Sequence, residues 1–192
     1  MDLNTFYAEE FDDHAACLVR TREAVSEPFA RLSDISEKTI RSGNKIMFFG
    51  NGGSAADCQH LATELTIRYI KDRAAIAAIA LTTDTSTLTA AGNDLGFDEI
   101  FSRQIEALGK PGDLAIGFST SGNSENVIRA LIKAKEMGIT PAGFGGKDGG
   151  RMTEYADPFL IIPAETTRRI QEMHILIGHM LCGALEIRLG MV

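Results

Sequence analysis

A histidine and a glutamate stand four residues apart, shortly after a glycine-rich turn. His60 and Glu64 fall about 40° apart on a helical wheel, so a helix would present both on one face. An imidazole and a carboxylate so placed can bind a metal ion or act as an acid–base pair. A solvated surface pair is the commoner alternative. The nearby turn favours the chemical interpretation.

That turn occupies residues 50–53 (Gly-Asn-Gly-Gly) and follows the apolar run 46–49 (Ile-Met-Phe-Phe). The run is typical of a fully buried strand, and Ser54 is a good N-cap for a following helix. Free N–H groups at such a helix start favour an anion, although a tight connection without a ligand is the alternative. Neither a Gly-Lys-Ser/Thr sequence nor a complete Gly-x-Gly-x-x-Gly pattern is present, which argues against a nucleotide-binding loop.

A second polar loop, residues 119–124 (Ser-Thr-Ser-Gly-Asn-Ser), follows the apolar run 114–118. It carries no charged side chain, so hydroxyl and backbone N–H groups would have to bind an anion there. A serine-rich connection without function is the alternative. Four hydroxyls directly after a buried strand favour a binding loop.

The last predicted helix, residues 166–189, supplies further candidates. Gln171 and His179 are about 80° apart on a helical wheel, whereas His174 and His179 are about 140° apart. Gln171 can therefore share a site with either histidine, but both histidines together are awkward. The residue pattern alone does not choose between them.

Strands alternate with helices along the chain, which predicts a parallel sheet covered on both faces. We expect an α/β three-layer sandwich with a five-stranded sheet of flavodoxin-like order 2-1-3-4-5, N-terminal helices and a long C-terminal helix. Ligands would bind beyond the carboxyl ends of strands one and three, which carry the two polar loops. The predicted strands are residues 46–49, 74–81, 114–118, 139–144 and 159–162, and the main helices are two within 3–42, then 54–69, 97–108, 125–137 and 166–189.

The 192 residues suit one domain, with residues 1–43 as a helical extension and 44–192 as the α/β core. A formal net charge of −7 and the lack of a basic stripe argue against a nucleic-acid partner. Three cysteines without paired spacing indicate reduced thiols. No apolar run reaches membrane-spanning length, and Asp2 stands where a signal peptide carries bases, so we expect a cytoplasmic protein.

Several segments together resemble the phosphoheptose isomerase family of sugar isomerase (SIS) domains. The serine loop alone indicates only the broad SIS group, while its combination with His60, Glu64, Gln171 and His179 is narrower. The segments are Gly50–Ala56, Gln59-His60, Ala80–Ser86, Gly92–Asp94, Ser119–Ser124 and Ile170–His174.

The resemblance implies isomerisation of sedoheptulose 7-phosphate to D-glycero-D-manno-heptose 7-phosphate, the first step towards heptose for lipopolysaccharide or capsule. It also implies a homotetramer with sites at subunit interfaces and one zinc ion per subunit. The implied zinc ligands are His60, Glu64, Gln171 and His179. Glu64 would be the catalytic base and His179 the acid, each contributing about 10²–10⁴ in rate. The implied substrate contacts are Asn51, Gly52, Gly53, Glu64, Asn93, Asp94, Ser119, Thr120, Ser121, Ser124 and Gln171.

One position departs from part of the family, since Arg168 stands where some members carry an acid, and Thr167 is a candidate replacement. The nearest rival is a non-catalytic SIS regulator that binds the bacterial replication initiator; such proteins lack the glutamate and final histidine found here as Glu64 and His179. A sugar-phosphate-binding module and an isomerase of another sugar phosphate are further alternatives.

Overall fold

Five parallel strands form the centre of the molecule, seen in a computed structural model that describes residues 2–192. Their spatial order is β2-β1-β3-β4-β5, which confirms the predicted order. Phe48 of β1, the second strand in this order, lies opposite Ala80 of β2 and Ile116 of β3. The strands are β1 (Ile46–Gly50), β2 (Ala78–Ala80), β3 (Leu114–Ser119), β4 (Thr140–Gly146) and β5 (Phe159–Ile162).

Within residues 2–192, seven helices cover the two faces of this sheet. Because successive side chains of a strand point to opposite faces, Phe48 packs into one core while Met47 and Phe49 pack into the other. Helices α1, α2, α3 and α7 cover the first face, and α4, α5 and α6 cover the second. The helices are α1 (Leu3–Ala24), α2 (Ser26–Arg41), α3 (Gly53–Thr66), α4 (Thr85–Asp94), α5 (Ser102–Leu108), α6 (Glu125–Glu136) and α7 (Thr167–Arg188), with 3₁₀ turns at Phe97–Glu99 and Gly150–Glu154.

The two N-terminal helices pack into the first core. Cys17 of α1 and Leu32 of α2 are fully buried there, together with Leu61 of α3 and Leu181 of α7. Burial of a leucine side chain contributes about 1.5–3 kcal/mol. The helical extension is therefore joined to the α/β core by apolar contacts.

Four local predictions were wrong. The helix predicted over 54–69 ends at Thr66, so Tyr69 lies in the loop that follows it. The second strand covers Ala78–Ala80 instead of 74–81, and as an edge strand it leaves Ile79 38% exposed. Residues 97–108 form a 3₁₀ turn and a short helix instead of one helix. Ser54 is not the N-cap of α3, because the helix begins one residue earlier with Gly52 as its cap and Ser54 buried.

The carboxyl ends of β1 and β3 lie side by side, so the two polar loops leave the sheet together. Gly50 permits the close approach, since a Cβ there would lie 2.9 Å from the Phe118 carbonyl oxygen. The chain leaves β1 to form β2, which pairs with one edge of β1, and β3 pairs with the other edge. The fold thus opens a crevice between the loops at the topological switch point.

Candidate active site

The two polar loops are joined by a pair of amide side chains. Asn51 Nδ2 donates to Asn126 Oδ1 at 2.8 Å, and Asn126 Nδ2 donates back to Asn51 Oδ1 at 2.9 Å. Asn51 follows β1, while Asn126 lies in the first turn of α6. This reciprocal pair holds the start of α3 beside the start of α6. One amide N–H of Asn51 remains for a ligand, because the other is used here.

The glycine loop presents backbone to the crevice. Gly52 has a φ of +56°, which favours glycine, and a Cβ there would meet nothing within 4 Å. No side chain caps α3. The N–H groups of Ala55 and Ala56 donate to the Gly52 carbonyl, which leaves those of Gly52 and Gly53 for an anionic or hydroxylated ligand.

The serine loop is ordered by its own hydroxyls. Ser119 Oγ lies 2.9 Å from Ser124 Oγ and 3.5 Å from Ser121 Oγ, while the Asn123 N–H donates to Ser121 Oγ at 3.2 Å. Ser124 is the N-cap of α6 but makes no side-chain capping bond. Three of the four predicted hydroxyls thus form one cluster at a helix start.

Gly122 fits this loop against the neighbouring one. Its φ is +65°, and a Cβ there would lie 1.9 Å from the Gly149 carbonyl oxygen. The Met152 N–H also donates to the Gly122 carbonyl at 2.9 Å. The segment that follows β4 therefore packs against the serine loop and holds it in place.

Three of the predicted chemical residues meet between α3 and α7. His60 Nε2 lies 2.7 Å from His179 Nε2 and 3.5 Å from Glu64 Oε1. The helices approach closely one residue away, where a Cβ on Gly178 would lie 2.6 Å from Leu61 Cδ1. The predicted helical pair and the predicted histidine therefore form one cluster of two imidazoles and one carboxylate.

Gln171 lies nearer the start of α3 than the His60 cluster does. Its Nε2 would be 2.4 Å from a Cβ on Gly53, so the amide lies over the first turn of α3. Residues 171 and 179 are about 12 Å apart along α7 at 1.5 Å per residue. Gln171 thus borders the glycine loop, and its side chain would have to turn towards His179 to share a ligand with it.

The donor chemistry of the cluster suits zinc, which takes imidazole nitrogen and carboxylate oxygen. Two nitrogens bound to one tetrahedral zinc at about 2.0–2.1 Å would be roughly 3.3 Å apart. The two Nε2 atoms are 2.7 Å apart, the spacing of a hydrogen bond. Within residues 2–192, no three His, Cys, Asp or Glu side chains are already arranged to hold a metal. The residues would fit the ion if the His60 and His179 rings moved apart by less than 1 Å.

Asn93 and Asp94 lie apart from the other predicted contacts. Both are exposed at the end of α4, where Asn93 Nδ2 donates to Asp94 Oδ1 at 2.7 Å. Helix α4 packs on the opposite face of the sheet from α3 and α7. In a single chain, the structure does not bring these two residues to the His60 cluster.

Comparison with known proteins identifies the relatives of this site. The family model "SIS domain" matches residues 10–146. The phosphoheptose isomerase of Paramagnetospirillum magneticum is 59% identical over 97% of both chains. The chain belongs to the phosphoheptose isomerase family.

Solved structures agree with this family membership. A phosphoheptose isomerase from Neisseria gonorrhoeae superposes with a TM-score of 0.90 and 40% identity, covering 96% of this chain and 99% of that one. Another from Francisella tularensis gives 0.93 and 31%, covering 96% and 98%. The matched sequence range of the SIS model starts within α1, so the family similarity includes part of the N-terminal helices.

The structure distinguishes the two histidines of α7 in this phosphoheptose isomerase family member. His174 is fully buried, with Nε2 2.9 Å from the Gly145 carbonyl, so that nitrogen carries the proton and donates. Its ring meets the edges of Phe118 and Phe144, and burial lowers its pKa to about 4. His174 is a neutral core residue, and His179 is the α7 histidine that contacts His60.

Sequence reasoning missed Asp57 and Tyr69. Asp57 shares the α3 face of His60 and Glu64, and burial raises its pKa while His60 partly offsets the rise. Within the described chain its Oδ2 is buried without a hydrogen-bond partner. The three-residue spacing to His60 could have indicated Asp57, whereas Tyr69 lies in a loop, where no helical period applies.

The departure at Arg168 has a structural role in this chain. Arg168 pairs with Glu10 of α1 at 2.8 Å. The neighbouring Arg169 is buried and contacts Glu10, Asp13 and Glu172. Both arginines therefore connect the start of α7 to α1, and the substitution of an acid by Thr167 stays a prediction.

Proposed function

We propose that this chain isomerises sedoheptulose 7-phosphate to D-glycero-D-manno-heptose 7-phosphate. The observation that carries the proposal is the cluster of Glu64, His60 and His179, in a chain that has two predicted anion-binding loops and is 59% identical to a phosphoheptose isomerase. An aldose–ketose shift needs a base, an acid and a hold on the distant phosphate. The site offers residues for all three.

The serine loop would hold the phosphate. Its clustered hydroxyls and the start of α6 supply hydrogen-bond donors without a charged side chain. The glycine loop and Gln171 would contact sugar hydroxyls, with Gly52 and Gly53 using backbone N–H groups. Fixing the non-reacting phosphate orients the reacting end of the sugar. The proposed phosphate contacts are Ser119, Thr120, Ser121 and Ser124.

Proton transfer would proceed between C1 and C2 of the sugar. A Glu64 carboxylate oxygen takes the proton from C1 of the ketose while His179 donates a proton to the C2 oxygen, which gives an enediol. Glu64 then returns its proton to C2, and His179 takes the proton from the C1 hydroxyl as the aldehyde forms. Both residues end the cycle in their starting protonation states.

A zinc ion would be held by His60, Glu64 and His179, with Gln171 as a fourth ligand after its side chain turns. When bound, zinc supplies a Lewis acid that polarises a carbonyl oxygen. A carboxylate tightly bound to zinc is a poor base. Glu64 would therefore act as ligand and as base in different states of the cycle.

Incubation of the purified protein with sedoheptulose 7-phosphate tests the function directly. We expect aldose formation, its loss after chelation, and its recovery when zinc is restored. Metal analysis must confirm that zinc was removed, since turnover that persists without it would eliminate the ion from the proposal. No turnover from a folded, zinc-loaded protein would favour the binding or regulatory alternatives.

We also propose a homotetramer, supported by apolar side chains on the surface of α1. Phe11 and Val19 are each 62% exposed, and Leu18 and Val19 line a groove of about 470 Å³ with Met180 of α7. Exposed apolar surface of this kind marks interaction sites. A neighbouring subunit would also account for the separation of Asn93 and Asp94 from the His60 cluster, because they would complete a partner's site.

Light scattering tests this assembly. We expect a tetramer mass for the native chain and a smaller mass for Val19→Glu, because a carboxylate would be buried unpaired in the interface. Lys135→Glu, an exposed charge reversal on α6, is the matched control and should keep the native mass. A monomeric native protein at assay concentration would contradict the proposed assembly.

Cellular location and pathway are the remaining proposals. Cys17, Cys58 and Cys182 are free and buried, which supports a reducing compartment and hence the cytoplasm. No helix in residues 2–192 is long and apolar enough to cross a membrane. The product would supply heptose for lipopolysaccharide or capsule.

A further inference from the structure

Tyr69 lies directly against the proposed acid. Its ring stacks on the His179 ring with centroids 5.6 Å apart and an interplanar angle of 24°. A Cβ on Gly183, one turn beyond His179, would lie 3.3 Å from Tyr69 Cε1. The tyrosine thus covers α7 from His179 to Gly183, and the glycine makes room for it.

A buried ion pair holds the loop that carries Tyr69. Arg73 Nε lies 2.9 Å from Glu186 Oε1, and the two side chains are only 2% and 0% exposed. The Tyr69 N–H donates to the same Glu186 oxygen at 3.2 Å. The tyrosine backbone is therefore fixed to α7 two turns beyond His179.

Arg73 also fixes this loop to α3. Its guanidinium donates to the carbonyls of Glu64 and Leu65 at 2.8 and 2.7 Å, which satisfies two groups at the end of the helix. The arginine consequently joins the helix of the proposed base to the helix of the proposed acid. Tyr69 lies in this loop and contacts the His179 ring, whose orientation proton transfer requires.

We propose that Tyr69 is a positioning residue that restricts the rotation of the His179 ring. One edge of that ring meets His60 and one face meets Tyr69. Rotation away from His60 would break the stacking contact between the His179 and Tyr69 rings, which is a favourable aromatic interaction. Its effect on turnover rests on the proposed isomerase function, whereas its effect on the ring does not.

NMR of the histidine side chains tests the His179 ring directly. The chain has only four histidines, so their signals can be told apart. The His179 signal is assigned by its loss in His179→Gln. We expect Tyr69→Leu to remove the aromatic ring-current shift of that signal and to broaden it, while Tyr69→Phe preserves its position. Tyr155→Leu, which changes a tyrosine against the opposite core, is the matched control and should leave the signal in place.

Kinetics give the second readout. We expect Tyr69→Leu to lower kcat about tenfold with KM within twofold, and Tyr69→Phe to restore kcat to within twofold of the native value. Equal loss in both variants would assign the effect to the hydroxyl and overturn the proposal, as would an unmoved His179 signal in Tyr69→Leu. Should Tyr69→Leu not fold, Tyr69→Met replaces it. Absence of turnover in the native protein together with the expected NMR result would overturn only the isomerase function.

Discussion

Replacement of Glu64 by glutamine is expected to lower kcat for sedoheptulose 7-phosphate by about 10²–10⁴, with a small change in KM. Glutamine has nearly the same shape but cannot accept a proton from C1. The serine loop, which is the proposed phosphate site, follows β3 and keeps its hydroxyl cluster in this variant. The loss should therefore fall on the chemical step. Steady-state kinetics measures it, and solvent deuterium should enter the sugar with native protein but not with Glu64→Gln.

Two controls separate the base from other roles of Glu64. Glu136→Gln removes a carboxylate on α6 that pairs with Lys133 at 2.9 Å, and it should leave kcat unchanged. The zinc content of Glu64→Gln must also be measured, because the same carboxylate is a proposed ligand. Recovery of native kcat in excess zinc would show that Glu64 only holds the ion, and this result would contradict its role as base.

The sequence predicts the fold well where side chains are buried on both faces. The runs 46–49 and 114–118 became strands because a parallel sheet covered by helices selects continuous apolar residues. The prediction was wrong at 74–81 because hydropathy does not reveal pairing. Edge strand β2 has a single neighbour, and its pairing with β1 extends over three residues.

Part of the candidate site could also be predicted from the sequence. Helical spacing placed His60 beside Glu64, and parallel topology placed the glycine loop beside the serine loop. A helical wheel could not choose between His174 and His179, because the choice depends on what each face of α7 meets. Phe118 and Phe144 meet His174, whereas α3 presents His60 to His179. The stack of Tyr69 on His179 depends on a loop path that no residue period encodes.

Burial of His174 is expected to make the protein lose stability as the pH falls from about 6.5 towards 4. Burial lowers its pKa from 6.5 to about 4, with the bond to Gly145 partly opposing the change. The unfolded chain therefore binds a proton more readily in this window, so the free energy of unfolding falls as the pH decreases. A difference of about 2.5 pH units corresponds to about 3 kcal/mol. Urea unfolding at fixed protein concentration from pH 7 to 4 measures it.

His174→Phe isolates this contribution from the other titrating groups. Phenylalanine fits among aromatic edges but leaves the Gly145 carbonyl without its donor, which should cost about 1–3 kcal/mol at pH 7. Its stability should then decrease less between pH 6.5 and 4, so the native and variant curves converge on acidification. His14→Gln changes a half-exposed histidine paired with Glu172 and should keep the native slope that His174 causes. Parallel curves for native protein and His174→Phe would contradict a neutral, buried His174. A protein with such a histidine must lose stability as the same side chain gains a proton in the unfolded chain.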